Sequence, residues 1–209
     1  IIYSIKEDIR LACLEPERTP AAVELMQELF SGIHGVPSIL YTGLTNIGMI
    51  VHPTPILLNY TRIESGQTFL YYKEAITPMV AQYISQVDAE RVAVAAGLGL
   101  EVETALEWLV RSYGIEPGAD LYETIQKNPA YADVYAPQST DCRYVWEDVP
   151  TGLVPISSVG RLLGIPTPFI DTVIQLACTI YRVDFRQTGR MIADQAALDR
   201  IRLPEAAQV

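Results

Sequence analysis

The chain has 209 residues, enough for one good-sized core or for one domain with part of a second. It is 49% hydrophobic and 19% charged, a globular and rather apolar composition. Its formal charge of −10 and its lack of any Lys/Arg cluster exclude nucleic acid as a partner, and no uninterrupted apolar run reaches the roughly 18 residues that a membrane span needs. Cys13, Cys142 and Cys178 lie outside any C-x-x-C frame, so they read as reduced thiols of a cytoplasmic protein, with no zinc or other metal site.

In chain order, the opening IIYSIKEDIRLACLE is β-rich and begins without an initiator methionine. Residues 1–14 read as two short strands around Lys6 to Asp8, and residues 21–30 as a short amphipathic helix with Thr19 as its N-cap and Pro20 at its first position. A β-β-α unit of this size cannot bury its own faces, so it is expected to be the remainder of another domain, with residues 32–37 as a hinge-like connector. Residues 45–64, TNIGMIVHPTPILLNYTRIE, are apolar at helical spacing almost all round and predict a buried spine. Pro53 disfavours α geometry at His52 but starts a new helix comfortably, so the spine is expected to kink with His52 at the junction.

Thr77 and Pro78 predict the start of a long helix over residues 79–98, which Gly97 and Gly99 end. Asp88 to Arg91 reads as a charged, solvated patch on its outer side. A third helix spans residues 102–113 around Trp108, and residues 121–125 and 130–134 are short helical pieces. From Tyr144 a polar loop gives way to helices over 156–163 and 169–183, the second starting through Thr167 and Pro168. From residue 38 onward the pattern predicts a helical bundle with short, mostly antiparallel connections, and strands occur only before Phe30.

A helix restarting at Pro53 aims unpaired N–H groups and its positive dipole end toward His52, which disfavours the imidazolium unless an anion sits beside it. The stretch DCRYVWEDVP, residues 141–150, supplies such an anion. On their own these residues leave several readings open. His52 is also what a satisfied core histidine looks like, Asp148 also suits a turn before Val149 and Pro150, and Arg143 also suits a surface ion pair with Asp141 or Glu147. Asn46 and Asn59 read first as structural hydrogen-bond partners within the bundle and only second as substrate contacts.

NIGMIVHPTPILLNYTRIE, DAERVAVAAGLGL and DCRYVWEDVPTGLVPISSVGRLLGIPTPFIDTVI together resemble, in order and spacing, the C-terminal helical domain of the octopine/nopaline (opine) dehydrogenase family. The resemblance implies a mainly α fold: a helical bundle over residues 38–209, like the C-terminal domain of 6-phosphogluconate dehydrogenase-like enzymes, after a Rossmann-domain remnant and linker over residues 1–37. It implies the substrate-binding and catalytic half of an NAD(P)-dependent dehydrogenase that reductively joins an amino acid to a pyruvate-like 2-keto acid. By the same resemblance His52 matches the catalytic histidine, Asp148 its partner and Arg143 a substrate-binding arginine; Asn46 is a candidate substrate contact only by its place near His52. No G-x-G-x-x-G follows a strand here, so NAD or NADP is expected to bind the other domain and this chain to hold no cofactor. The face that such a domain covers is expected to be apolar and to favour a homodimer. Two other readings stay open: a non-catalytic helical module for assembly or ligand binding, and another 2-oxo or 2-hydroxy acid dehydrogenase of the same superfamily.

Overall fold

A computed structural model of the protein describes residues 8–201. Strand β1 (Ile9–Leu11) is followed by a 3-10 turn at Pro16–Arg18, helix α1 (Thr19–Gln27) and strand β2 (Ile33–Gly35). The strands pair in parallel, Ile9 with Ile33 and Leu11 with Gly35, so the described part of the unit is β-α-β, with a strand after the helix that the expected β-β-α order lacks. Parallel strands need a crossover connection, and α1 provides it. Because β2 lies in the supposed connector, strands are not confined to residues before Phe30. The earlier strand expected within residues 1–14 falls largely outside the described residues. Thr19 is also not an N-cap: Arg18 holds that position, and the Thr19 hydroxyl accepts from the Cys13 N–H instead.

The rest is helical. Five short helices come first: α2 (Ile39–Leu44), α3 (Gly48–Val51), α4 (Pro53–Leu58), α5 (Tyr60–Glu64) and α6 (Tyr71–Glu74). They lead to the long α7 (Pro78–Gly97), then α8 (Ala105–Tyr113), α9 (Leu121–Lys127) and a 3-10 turn at Pro129–Tyr131. The last part comprises α10 (Arg143–Trp146), a π-helical turn at Val149–Leu153, α11 (Val154–Leu163), α12 (Pro168–Tyr181), α13 (Phe185–Thr188) and α14 (Gln195–Ile201). Among the described residues of this helical part, the only strand-like pairing is an isolated antiparallel bridge between Leu70 and Tyr135.

Helix α7 starts where the sequence places it, with the Thr77 hydroxyl accepting from the Val80 N–H and Pro78 at the first position. It runs through the centre of the body, carrying buried Ile84, Val87 and Val94, and α2, α3, α4, α9, α11 and α12 pack around it. Its charged residues correct the expectation of a solvated outer patch, because Asp88, Glu90 and Arg91 are all buried. The Arg91 guanidinium donates to the Asp88 carboxylate (2.8 Å) and to the carbonyls of Leu44 and Glu103 (2.6 Å each). The second Asp88 oxygen accepts from the Ala105 N–H at the start of α8 (2.7 Å). Glu90 caps α12 across the core, each carboxylate oxygen accepting one N–H, from Phe169 and Ile170 (2.8 Å each). Thr167 therefore makes no side-chain cap, unlike Thr77. A buried charge persists only when paired and hydrogen-bonded, which these groups are.

An ionic clasp ties the β-α-β unit to the helical body. Arg10 of β1 reaches Glu103 (2.7 Å) and the Tyr41 hydroxyl (2.6 Å), while Arg111 of α8 pairs with both Glu103 and Asp8. Burial alone pushes the Glu103 carboxyl up, but hydrogen bonds from Arg111 and the charges of Arg10 and Arg111 outweigh it and hold the group below the usual carboxylate range.

Candidate active site

The spine over residues 45–64 is broken by its own prolines. Pro53 and Pro55 have no N–H, so neither serves the carbonyl four residues back. His52 keeps helical geometry (φ −94°, ψ −54°) despite the following proline, ending α3 and beginning α4 on the same residue. Of the two freed carbonyls, Met49 and Val51, that of Val51 lies 3.3 Å from the Tyr71 hydroxyl of α6, which also donates to the His52 carbonyl (2.6 Å). Burial pushes the Tyr71 phenol well above its ordinary range, so it stays protonated as a donor.

The break turns the His52 ring toward Asp148. Imidazole Nδ1 lies 2.8 Å from Asp148 Oδ2, and the two side chains are 22% and 10% exposed. A carboxylate only accepts, so this bond places the proton on Nδ1 and leaves Nε2 as the exchangeable position. The Tyr72 hydroxyl is 3.4 Å from Nε2, and the Tyr144 ring stacks on the imidazole at 4.1 Å with 13° between the planes. Gly48 makes room, since a Cβ there meets His52 Cε1 at 3.1 Å and Nδ1 at 3.2 Å. Asp148 is delivered by the π-helical turn, a wide turn often found at functional sites. That turn sits hard against α3, since a Cβ on Gly152 lies only 2.6 Å from Met49 Cβ.

The other expected residues differ in placement. Arg143 opens α10, its side chain is 75% exposed, and its fork closes on Glu147 at 3.0 and 2.9 Å, the ion pair that the spacing of four allows. Asn46 is exposed and its side chain accepts from the Gly48 N–H (3.2 Å). Asn59 is structural: its amide donates to the carbonyls of Pro55 and Ala75 and its oxygen accepts from Arg62. Among the described residues no three His, Cys, Asp or Glu side chains cluster as metal ligands, and all three cysteines are free.

Residues 35–181 match the family model described as NAD/NADP octopine/nopaline dehydrogenase, alpha-helical domain. The chain belongs to the octopine/nopaline dehydrogenase family. It is 42% identical over 191 residues to an opine dehydrogenase of Arthrobacter sp. (strain 1C), covering 91% of this chain and 53% of that protein. It is 30% identical over 151 residues to a vitopine synthase of Allorhizobium ampelinum, covering 71% and 41%. The chain thus spans about half the length of the curated relatives it matches. In fold it is similar to a solved octopine dehydrogenase with NADH and L-arginine, at a TM-score of 0.67 and 21% identity, over 88% of this chain and 51% of that one.

Within this octopine/nopaline dehydrogenase domain, tyrosines surround His52 that no local pattern in the sequence sets apart. Tyr72 stacks on Tyr131 at 3.7 Å, and Tyr131 meets Tyr113 edge-on at 5.3 Å. Lys73 anchors the same short α6 by donating to the carbonyls of Ile125, Gln126 and Asn128 at the end of α9, where a cation suits the helix dipole. Burial lowers the Lys73 pKa. The signal available was the pair Tyr71-Tyr72 followed by Lys73, which has no meaning until α9 is in place.

Proposed function

We propose that this protein forms the substrate-binding and catalytic part of a cytoplasmic NAD(P)-dependent opine dehydrogenase, which reductively joins an amino acid to a 2-keto acid with His52 as the acid/base. The observation that carries this reading is the 2.8 Å bond between His52 Nδ1 and Asp148. Support comes from the names of relatives, opine dehydrogenase and vitopine synthase, and from the fold shared with octopine dehydrogenases solved with NADH and agmatine, L-arginine or pyruvate.

The connection from β1 to α1 contains Glu15, Pro16, Glu17 and Arg18 and no glycine, which does not fit a pyrophosphate cradle. The nicotinamide nucleotide, which supplies hydride, is therefore assigned to a nucleotide-binding domain to which the β-α-β unit belongs, residues 38–209 being the substrate domain. Leu14, Leu25, Leu29 and Phe30, all exposed on that unit, fit a face that such a domain covers and that promotes self-association when bare.

His52 Nε2 gives a proton to the substrate atom that gains charge during reduction and takes it back in the reverse direction. Asp148 holds the ring tautomer and offsets the imidazolium charge. Arg143 binds a substrate carboxylate by exchanging Glu147 for it, since its planar fork matches either carboxylate. Asn46, beside the Gly48 end of the imidazole, is placed to contact the same substrate.

The test uses the polypeptide that includes the nucleotide-binding domain, assayed with NADH or NADPH, amino acids and pyruvate. His52→Ala is expected to lower kcat by about 100-fold or more with nucleotide affinity unchanged. Asp148→Asn is expected to cost more than about tenfold but less than losing the histidine. Retention of most turnover by His52→Ala overturns the assignment, and activity confined to other 2-oxo acids without an amino acid overturns the substrate class.

A further inference from the structure

We propose that Tyr144 is a positioning residue that holds the His52 imidazole in the plane needed for proton transfer, and that it does so through its ring and not its hydroxyl. The inference rests on the reading of His52 as acid/base. An imidazole held closely at Nδ1 (2.8 Å) and only at long range at Nε2, where the Tyr72 hydroxyl is 3.4 Å away, still pivots about the Nδ1 bond, which swings Nε2 away from a reacting atom. A face contact blocks the pivot, and the Tyr144 ring supplies one at 4.1 Å and 13°.

Tyr144 is itself held. Its ring packs against Tyr71 at 5.2 Å, and Tyr71 grips the His52 carbonyl, so ring and backbone of the histidine are fixed by one aromatic unit. Among the described residues the Tyr144 hydroxyl has no hydrogen-bond partner, whereas that of Tyr71 has two. The position therefore calls for an aromatic face and gives the phenol no task. One short helix and the turn after it thus carry both groups that meet the imidazole, the Tyr144 ring and the Asp148 carboxylate.

The test compares Tyr144→Phe and Tyr144→Leu. In this chain, NMR of the His52 ring protons is expected to show ring-current upfield shifts in the wild type and in Tyr144→Phe, lost in Tyr144→Leu. In the polypeptide with its nucleotide-binding domain, Tyr144→Leu is expected to lower kcat about tenfold, as small misplacements of a reacting group do, with nucleotide affinity unchanged and Tyr144→Phe within about twofold of wild type. Equal losses in the Phe and Leu variants overturn the inference, because the hydroxyl then acts. A Leu variant of lower melting temperature but full kcat at a permissive temperature overturns it too, as does a wild-type His52 spectrum without upfield shifts, a readout that needs no variant to fold. If His52→Ala retains turnover, the catalytic reading fails, while the ring-current experiment still decides whether the stack orders the imidazole.

Discussion

Replacing Arg91 with methionine probes the buried charge network, because the thioether fills much of the stem volume and deletes only the guanidinium. Arg91 is fully buried, so the variant strands the Asp88 carboxylate, 5% exposed, with only the Ala105 N–H, and it leaves the carbonyls of Leu44 and Glu103 without their donor. Breaking a buried ion pair by removing one partner costs about 3–5 kcal/mol, and each orphaned carbonyl adds on the order of 1 kcal/mol. A total of about 5–7 kcal/mol is comparable to the whole stability of many domains, about 5–15 kcal/mol. At about 2–4 °C per kcal/mol for a chain of this size, Arg91→Met is expected to melt at least about 10 °C below wild type. The double variant Arg91→Met, Asp88→Leu is expected to recover part of that loss, since no uncompensated charge remains, and a double-mutant cycle measures the coupling. A loss under about 1 kcal/mol in urea or thermal denaturation, the value for an exposed pair, refutes the reasoning.

Four further outcomes are open to measurement. Gly152→Ala drives a methyl to 2.6 Å from Met49 Cβ, so it is expected to cost about 1–3 kcal/mol in thermal melting and to weaken the Nδ1 proton signal of the His52–Asp148 bond. Arg143→Lys is expected to raise KM for one carboxylate substrate about tenfold with little change in kcat, because a point charge replaces a fork; an unchanged KM removes Arg143 from the substrate site. Since the folded Glu103 carboxyl lies below its unfolded value, its stabilisation is present above the ordinary carboxylate range and is lost as pH falls through the folded value. The stability gap between wild type and Glu103→Gln, about 1 kcal/mol or less for a partly exposed network, is therefore expected to close on acidification, and a constant gap across pH contradicts the clasp. Sedimentation of this chain is expected to show concentration-dependent association that Leu25→Asp or Leu29→Asp weakens, whereas a monomer at all concentrations argues against the apolar face.

Much of the bundle could be read from local chemistry. Thr77 and Pro78 announce α7 because both halves of the signal, hydroxyl cap and missing N–H, act within one turn. The break at His52 was legible for the same reason, although the residue itself stays helical. Thr19 and Thr167 show where that logic ends: each precedes a proline at a helix start, yet Thr19 serves the Cys13 N–H, and the N–H groups behind Thr167 are taken by Glu90 from a helix some eighty positions earlier. Asp88, Glu90 and Arg91 misled for a related reason. Apart from the Asp88–Arg91 pair itself, their partners are the carbonyls of Leu44 and Glu103 and the first turns of α8 and α12, which no spacing within α7 reveals. Strand β2 is three residues long and contains a glycine, so only its pairing with β1 defines it. At the site, the meeting of His52 and Asp148 was expected from resemblance, while Tyr72 and Tyr144 carry no local mark that separates a ring stacked on an imidazole from a ring in a wall.

The Glu90 cap also has a kinetic meaning. The N–H groups at the start of α12 depend on a carboxylate that reaches its place only when α7 is already packed, and the loop to be closed between them is about eighty residues long. Long-range contacts of this kind slow folding and couple distant segments. On the ribosome α7 emerges well before α12, so its carboxylate waits in water and α12 has no finished start until it docks. Docking of α12 is then the step that gives the Glu90 carboxylate its two N–H partners.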